Sequence, residues 1–272
     1  MAVNLASKYS PIVDERFSIT TVTNIAFNTD YDWVGVRSVF VYSIPTVPMN
    51  NYMRSGLSRY GTPEELQDSV QELPLTQDRS FTYTIDLGNQ VDQMYVKAAG
   101  ESLARQLREI VVPEVDTYRI GVLAANASGT DDTPATADNA YELFLSGQEF
   151  MGNHKVPMPG RIAYTTFNYY NLIKLDPSFT QSGNQAQISL VNGEYGRIDG
   201  VPVIPVPSSY LPADTQFLLV HPIAGIAPVK LAEMHIHDNP PGVSGWLVEG
   251  RFYYDAFVLS QKEDAIYLST SA

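Results

Sequence analysis

The sequence predicts an α+β fold whose parts reach beyond a single globular body. Three observations predict it: alternating strands on either side of a long connection, one very long amphipathic helix, and a strand-rich C-terminal region. From Trp33 to Ile44, Val34, Val36, Phe40, Tyr42 and Ile44 fall on one face, as a half-buried strand requires. Phe81, Tyr83, Ile85 and Leu87 alternate with Ser80, Thr82, Thr84 and Asp86 in the same way. These two strands are expected to pair. The residues between them, 45–79, carry Pro45, Pro48, Gly56, Gly61, Pro63 and Pro74, and a connection this long is uncommon unless it is functional. The stretch 33–88 therefore reads as an extended, hairpin-like loop, preceded by an arm at 1–32 in which 12–17 can form a turn or two of helix.

The helix is predicted over Asn89–Ala125. At about 1.5 Å per residue it spans roughly 55 Å, whereas a compact domain of this chain length has a radius of gyration of about 18 Å. An elongated molecule that packs against other copies of itself is expected. Val91, Met94, Tyr95 and Ala98 form one apolar stripe; Leu103, Leu107, Ile110 and Val111 form another. At about 100° per residue the two are rotated by over 100°, so the two halves should pack on different partners. Glu101 with Arg105, and Arg105 with Glu109, support the exposed side as i,i+4 pairs. An interior Pro113 predicts a bend near Val112, with the helix continuing through Val115, Tyr118 and Val122.

Gly, Ser, Thr and Asp crowd residues 126–136, which read as a domain boundary. Beyond it, a helix is expected at 139–151, with Asn139 and Glu142 at capping-box spacing and Gly152 at C′. A strand at 161–165, a helix at 167–175, and turns at Asn192-Gly193 and Asp199-Gly200 complete a mixed domain over 129–228. Residues 229–272 are read as further strands. The run 246–259 is one long strand of roughly 45 Å, whose apolar face (Trp246, Val248, Phe252, Tyr254) can bed the long helix. A last strand follows at 265–268.

Composition narrows the function. Apolar residues make up 44% of the chain and aromatic residues 11%, enough to exclude wholesale disorder. No apolar run is long enough to span a membrane, and the first ten residues lack a secretory signal pattern. Zero cysteines exclude thiol catalysis, disulfides and thiolate metal sites, and fit a reducing cytoplasm. A net charge of −13 repels polyanions and argues against a dedicated nucleic-acid binder.

Catalytic signatures are absent: there is no phosphate-binding glycine loop, no Gly-x-Ser-x-Gly elbow and no His-Glu-x-x-His helix. One constellation remains. Glu233, His235 and His237, followed by Asp238, occupy alternate strand positions where imidazoles and a carboxylate can ligate a metal. They also fit the wet face of a strand whose other face is Ala232, Met234 and Ile236, and a catalytic site would need a pocket and supporting hydrogen bonds as well. A metal-dependent enzyme using His235 and His237 is thus the alternative function. The 17 tyrosines fall largely on faces already assigned to core or interface, including Tyr83, Tyr95, Tyr118, Tyr253 and Tyr254, so a sugar-binding platform is not inferred. No catalytic, cofactor-binding or metal-ligating residue is assigned.

The order of these segments resembles the major capsid proteins of tailed bacteriophages with the Hong Kong 97 type fold. The likeness is carried by the strands at 33–44 and 79–87, by the helix 89–125 with Val112-Pro113-Glu114-Val115-Asp116, and by the run from Gly250 to Leu259. It implies an N-terminal arm (1–32), an extended loop (33–88), the spine helix of a peripheral domain (89–128), an axial domain (129–228) and peripheral strands (229–272). It also implies hexamers and pentamers closing into an icosahedral shell around double-stranded DNA, with a portal, assembled in the bacterial host cytoplasm and ending in the virion. A tail or decoration protein of the virion is a further alternative. Some members begin with a scaffolding segment, whereas this sequence enters the arm at once; a separate scaffolding protein, or none, is expected, and a decoration protein is a conceivable partner. Some members cross-link through a lysine in the extended loop, but residues 38–88 contain none. Particles boiled in SDS should therefore run as single chains near 30.1 kDa; a ladder of multiples would contradict this.

Overall fold

A computed structural model of the chain describes residues 21–28, 38–44, 46–63, 65–66, 68–92, 99–177 and 196–271. The strands are β1 (Ser38–Ser43), β2 (Ser69–Pro74), β3 (Gln77–Asp86), β4 (Gly129–Asp131), β5 (Ile162–Thr166), β6 (Arg197–Ile198), β7 (Val201–Val206), β8 (Thr215–Val220), β9 (Gly225–Ile226), β10 (Val229–Asp238), β11 (Gly245–Tyr254), β12 (Phe257–Val258) and β13 (Ile266–Thr270). The α-helices are α1 (Leu87–Asp92), α2 (Ala99–Gln106), α3 (Val112–Ala125), α4 (Ala140–Asn153) and α5 (Phe167–Leu175), with a π turn at Leu107–Val111 joining α2 to α3. The chain divides into two compact units, Trp33–Leu75 and the remainder.

All six residues of β8 in the larger unit, Thr-Gln-Phe-Leu-Leu-Val, are buried. Such a run suits a strand covered on both faces. β8 lies within a mixed sheet of order β4-β13-β8-β5-β7-β6, antiparallel to β13 and β5, with β4 and β7 added in parallel outside them. Successive side chains go to opposite faces. Leu218, Val220, Tyr164 and Ile266 meet Ile120 and Leu123 of α3. Phe217, Leu219 and Tyr267 meet Phe144 of α4 and Tyr169 of α5. At the α4 crossing only a glycine fits: a Cβ on Gly147 would lie 2.7 Å from the Leu219 side chain. The Asp199-Gly200 turn between β6 and β7 has φ of 53° and 80°, a type I′ pattern. The turn expected at Asn192-Gly193 lies outside the described residues, as does the helix expected at 12–17.

The strand pairing differs from expectation. The strands before and after the long connection do not pair with each other. β1 pairs with β2, from Ser38↔Pro74 to Ser43↔Ser69, inside the smaller unit. β3 pairs instead with β11, from Gln77↔Tyr254 to Asp86↔Gly245, and β10 flanks β11 on its other side. The connection carries its own strand, β2, whose Ser-Val-Gln-Glu-Leu-Pro has only two large apolar side chains and hence a weak alternation signal. The smaller unit ends at Leu75, and β3 belongs to the larger one. Two further strands shift. The run 246–259 breaks after Tyr254, and β12 pairs with β9. β13, expected beside the other C-terminal strands, lies between β4 and β8 in the six-stranded sheet, and β4 itself forms within the predicted boundary 126–136.

Where a bend was expected, at Val112, the helix has a π turn in which the Val112 N–H donates to the Leu107 carbonyl. The shift of hydrogen-bond register gives Pro113 a first-turn position in α3, where a missing N–H costs nothing. Of the first predicted stripe Val91 is exposed; Met94, Tyr95 and Ala98 lie outside the described residues. α5 spans the expected residues, capped by Thr166, whose hydroxyl accepts from the Tyr169 N–H at 3.2 Å. The capping box of α4 does not form, because Asn139 Oδ1 accepts from the Thr136 N–H and hydroxyl. Gly152 stays helical, and Lys155 takes the positive φ of 61°.

Asp255 explains the break after β11. Its buried carboxylate accepts from the Thr76 N–H (2.7 Å) and hydroxyl (2.8 Å), from the Tyr118 phenol (2.6 Å) and from the Ala256 N–H (2.8 Å). Burial, then the bond to Asp255, pushes the Tyr118 phenol up to about 12. Asp255→Ala strands several buried donors and should cost about 3 kcal/mol, which lowers the melting temperature by roughly 10 °C; thermal denaturation followed by circular dichroism checks it.

Candidate assembly surfaces

The three-stranded sheet β10-β11-β3 and the long helix form the first surface. Phe81 and Tyr83 of β3 share a face with Val248, Phe252 and Tyr254 of β11. The Phe81 and Phe252 rings stack at 6.3 Å, and a Cβ on Gly250 would lie 2.5 Å from the Phe81 ring. The π turn and the first turn of α3 cross this face, with Arg79 Nε 2.7 Å from Glu114 Oε1. The crossing leaves a cleft lined by Phe81, Ile110, Val111, Val115, Phe252 and Tyr254. The helix thus beds on β11 through its middle, while its C-terminal half enters the core of the six-stranded sheet.

The second feature is a polar anchor for the segment 21–28. Asp116 and Arg119, three apart on one face of α3, are both buried. Asp116 Oδ1 accepts from the Thr21 hydroxyl (2.9 Å) and the Thr23 hydroxyl (2.6 Å), and Oδ2 from the Val22 N–H (3.1 Å). Arg119 donates to Asn24 Oδ1 (2.8 Å) and Thr23 Oγ1 (3.2 Å), and its guanidinium lies 5.8 Å from the centre of the Phe27 ring. Burial lowers the Arg119 pKa, and the nearby Asp116 charge opposes that shift. The Tyr164 phenol donates to the Val22 carbonyl at 2.8 Å, and the Asn28 N–H to the Gly225 carbonyl at 2.9 Å. Ala26 and Phe27 are buried in the core under α3. This anchor escaped the sequence reading, which placed the charged positions of the helix on its exposed side; the available signal was an Asp and an Arg three apart inside an apolar stretch.

The third is the smaller unit. On the β1–β2 ribbon Phe40, Tyr42 and Val70 are exposed on one face. A two-stranded ribbon is marginal in water without such a face covered. The connecting loop leaves Met49 and Leu57 99% exposed. Its tip is nonetheless ordered by its own bonds: the Met53 N–H donates to the Arg59 carbonyl at 3.0 Å, and Tyr52 meets Tyr60 edge-on at 5.0 Å. Contiguous bare apolar surface marks an interaction site.

The profile of one protein family, described as phage capsid protein, matches residues 76–269. The chain belongs to the phage capsid protein family. No curated protein matches it in sequence. Its mixed helix and sheet fold is shared with solved structures. One from Mycobacterium phage Che8 is 17% identical, with a TM-score of 0.79 over 98% of this chain and 97% of that one. The capsid of cyanophage P-SCSP1u is 11% identical, at 0.79 over 98% and 93%. The mature capsid of bacteriophage PhiM1 is 12% identical, at 0.74 over 97% and 91%. The protein is a major capsid protein, a structural component of the phage head shell and not an enzyme. Among the described residues no helix is long and apolar enough to cross a membrane.

In this capsid protein the histidine constellation does not converge. His237 Nε2 lies 3.3 Å from Glu249 Oε2 on β11, and His235 Nε2 lies 3.8 Å from Glu233 Oε2, each pair being about half exposed. Asp238 has the opposite strand parity, with Met234 and Ile236, and accepts from Asn239 at 3.2 Å. No group of three liganding side chains among the described residues could hold a metal ion. The tyrosines are spread likewise: Tyr164, Tyr169, Tyr210, Tyr254 and Tyr267 are buried in the core. Asp116→Ala leaves Arg119 buried without its counter-charge and three donors without an acceptor, and should cost about 3 to 5 kcal/mol. Hydrogen exchange should then show the backbone of residues 21–28 exchanging much faster, with α4 and α5 little changed.

Proposed function

We propose that the chain builds the icosahedral head of a tailed bacteriophage in the Hong Kong 97 type fold, as hexamers and pentamers enclosing double-stranded DNA. The observation that carries this reading is the bare apolar surface of the smaller unit, which has no use in an isolated subunit and is satisfied when copies overlap. In this division residues 1–32 are the arm, 33–75 with β3 the extended loop and its return, 89–128 the spine helix, and 129–228 the axial domain. The strands from 229 belong to the peripheral domain, except that β13 returns to the axial sheet. The arm and the extended loop lie across neighbouring subunits.

Each interface is stabilised mainly by apolar burial. A portal belongs to such a head, with a separate scaffolding or decoration protein as further partners, and assembly occurs in the bacterial cytoplasm. The net charge of −13 supports an inner wall that repels DNA and lets it slide during packaging, without sequence-specific contacts. Negative-stain microscopy of particles released from expressing cells should show closed shells; a stable single subunit would overturn the reading. Leu107→Asp places a charge on a half-buried position of the spine helix, and should abolish folding or assembly; a normal particle yield would count against it.

A further inference from the structure

We propose that the open edge of β10 is a two-fold joint, at which residues 231–237 pair antiparallel with the same residues of a second copy, Met234 opposite Met234. This deepens the shell reading above and rests on it. β10 is the outer strand of β10-β11-β3, and among the described residues its other edge carries no strand. A long strand with one edge open is a template for pairing with another chain. The bulge at Lys230 and the turn after Asp238 confine the open stretch to 231–237. Met234 and Ile236 are 41% and 43% exposed, although they share a face with Val248 and Phe252 of β11.

The occupant follows from the sequence of the edge itself. Two copies of one edge can meet only with residues of equal parity opposite, because the same alternate residues point their N–H and C=O groups outward. Centred on Met234, the register sets Glu233 opposite His235 twice, Ala232 opposite Ile236 twice and Leu231 opposite His237 twice. Carboxylate then faces imidazole across the joint, aliphatic faces aliphatic on the other side of the sheet, and no two like charges are opposed. His237 leans away from the joint, toward Glu249 of β11 at 3.3 Å. The neighbouring registers are worse: centring on Glu233 opposes two carboxylates, and centring on His235 opposes two imidazoles and sets Asp238 against Ala232. Paired on Met234, two three-stranded sheets become one of six strands, and Ala232, Met234 and Ile236 of both copies close into one apolar band. Seven residues a side falls well short of the roughly 20 to 30 of a stable free dimer, so the joint forms where the shell brings two copies together across a two-fold axis.

The chain has no cysteine, so a disulfide trap is unambiguous. Particles carrying Met234→Cys, oxidised and run in SDS without reductant, should give a band at twice the chain mass that collapses on reduction. The double variant Glu233→Cys with His235→Cys should do the same, while Glu233→Cys alone and His235→Cys alone run as single chains. The Met234 pair and the Glu233–His235 pairs alternate as hydrogen-bonded and non-hydrogen-bonded positions, so one of them has the closer spacing. Single-chain mass from both Met234→Cys and the double variant, or a dimer from either lone variant at 233 or 235, overturns the proposal. Independently, Met234→Asp alters an exposed side chain and sets two carboxylates against each other at the axis, and should lower particle yield at least tenfold; an unchanged yield overturns the joint. Absence of shells from the unaltered chain would instead refute the shell reading.

Discussion

One helix has to serve two sheets, and much of the larger unit follows from that constraint. Over Gln106–Val115 the helix lies on the aromatic face of β3 and β11; over Asp116–Ala124 it is built into the core of the six-stranded sheet. The two beds take different residues of the helix, Ile110, Val111 and Val115 on one and Ile120, Leu123 and Ala124 on the other. The π turn lies within this handover, and Pro113 sits where the new register begins. An inserted π turn moves every later side chain around the helix axis, which lets the C-terminal half present Ile120 and Leu123 to the sheet.

Where apolar packing changes direction, buried carboxylates hold the chain. Asp116 collects the segment 21–28, and Asp255 collects the start of β3, the helix through Tyr118, and the turn that ends β11. Both bind backbone N–H groups and hydroxyls across long sequence separations. Such bonds are directional in a way that apolar contacts are not. They give the segment 21–28 and the end of β11 one position each, and positions of this kind are what a repeating wall needs from every copy.

The helical content was legible because its signal is local. α5, most of α4 and the helix up to Ala125 follow from periodicity and end signals in single windows. The strands were legible as strands but not as partners. β3 alternates as clearly as β1, yet it pairs with β11, because pairing is decided by which apolar faces meet across more than a hundred residues. β2 was missed since Ser69–Pro74 has few apolar side chains. The exposed apolar ribbon and loop were read as projecting because prolines and glycines punctuate them. The Asp116 anchor was invisible for the opposite reason: polar residues on a predicted helix are assigned to solvent by default, and only their three-residue spacing within an apolar stretch distinguished them. The histidines at 235 and 237 invited a chemical reading that strand parity alone could not dismiss, since Glu233 shares their face; in the structure the two imidazoles pair separately, with Glu233 and Glu249.

The place of β13 has a consequence for how a subunit comes into being. It lies between β4 and β8, with Tyr267 opposite both Gly129 and Leu219, yet it follows every other strand of that sheet in sequence. On the ribosome, β4 has no neighbour to join until residue 270 has been made, and loop closure over such a span is slow. A nascent chain therefore cannot complete this sheet before residue 270 has been made. A polypeptide cut short before β13 leaves β4 unpaired and one edge of β8 bare, so it has an unfinished surface to offer a growing wall.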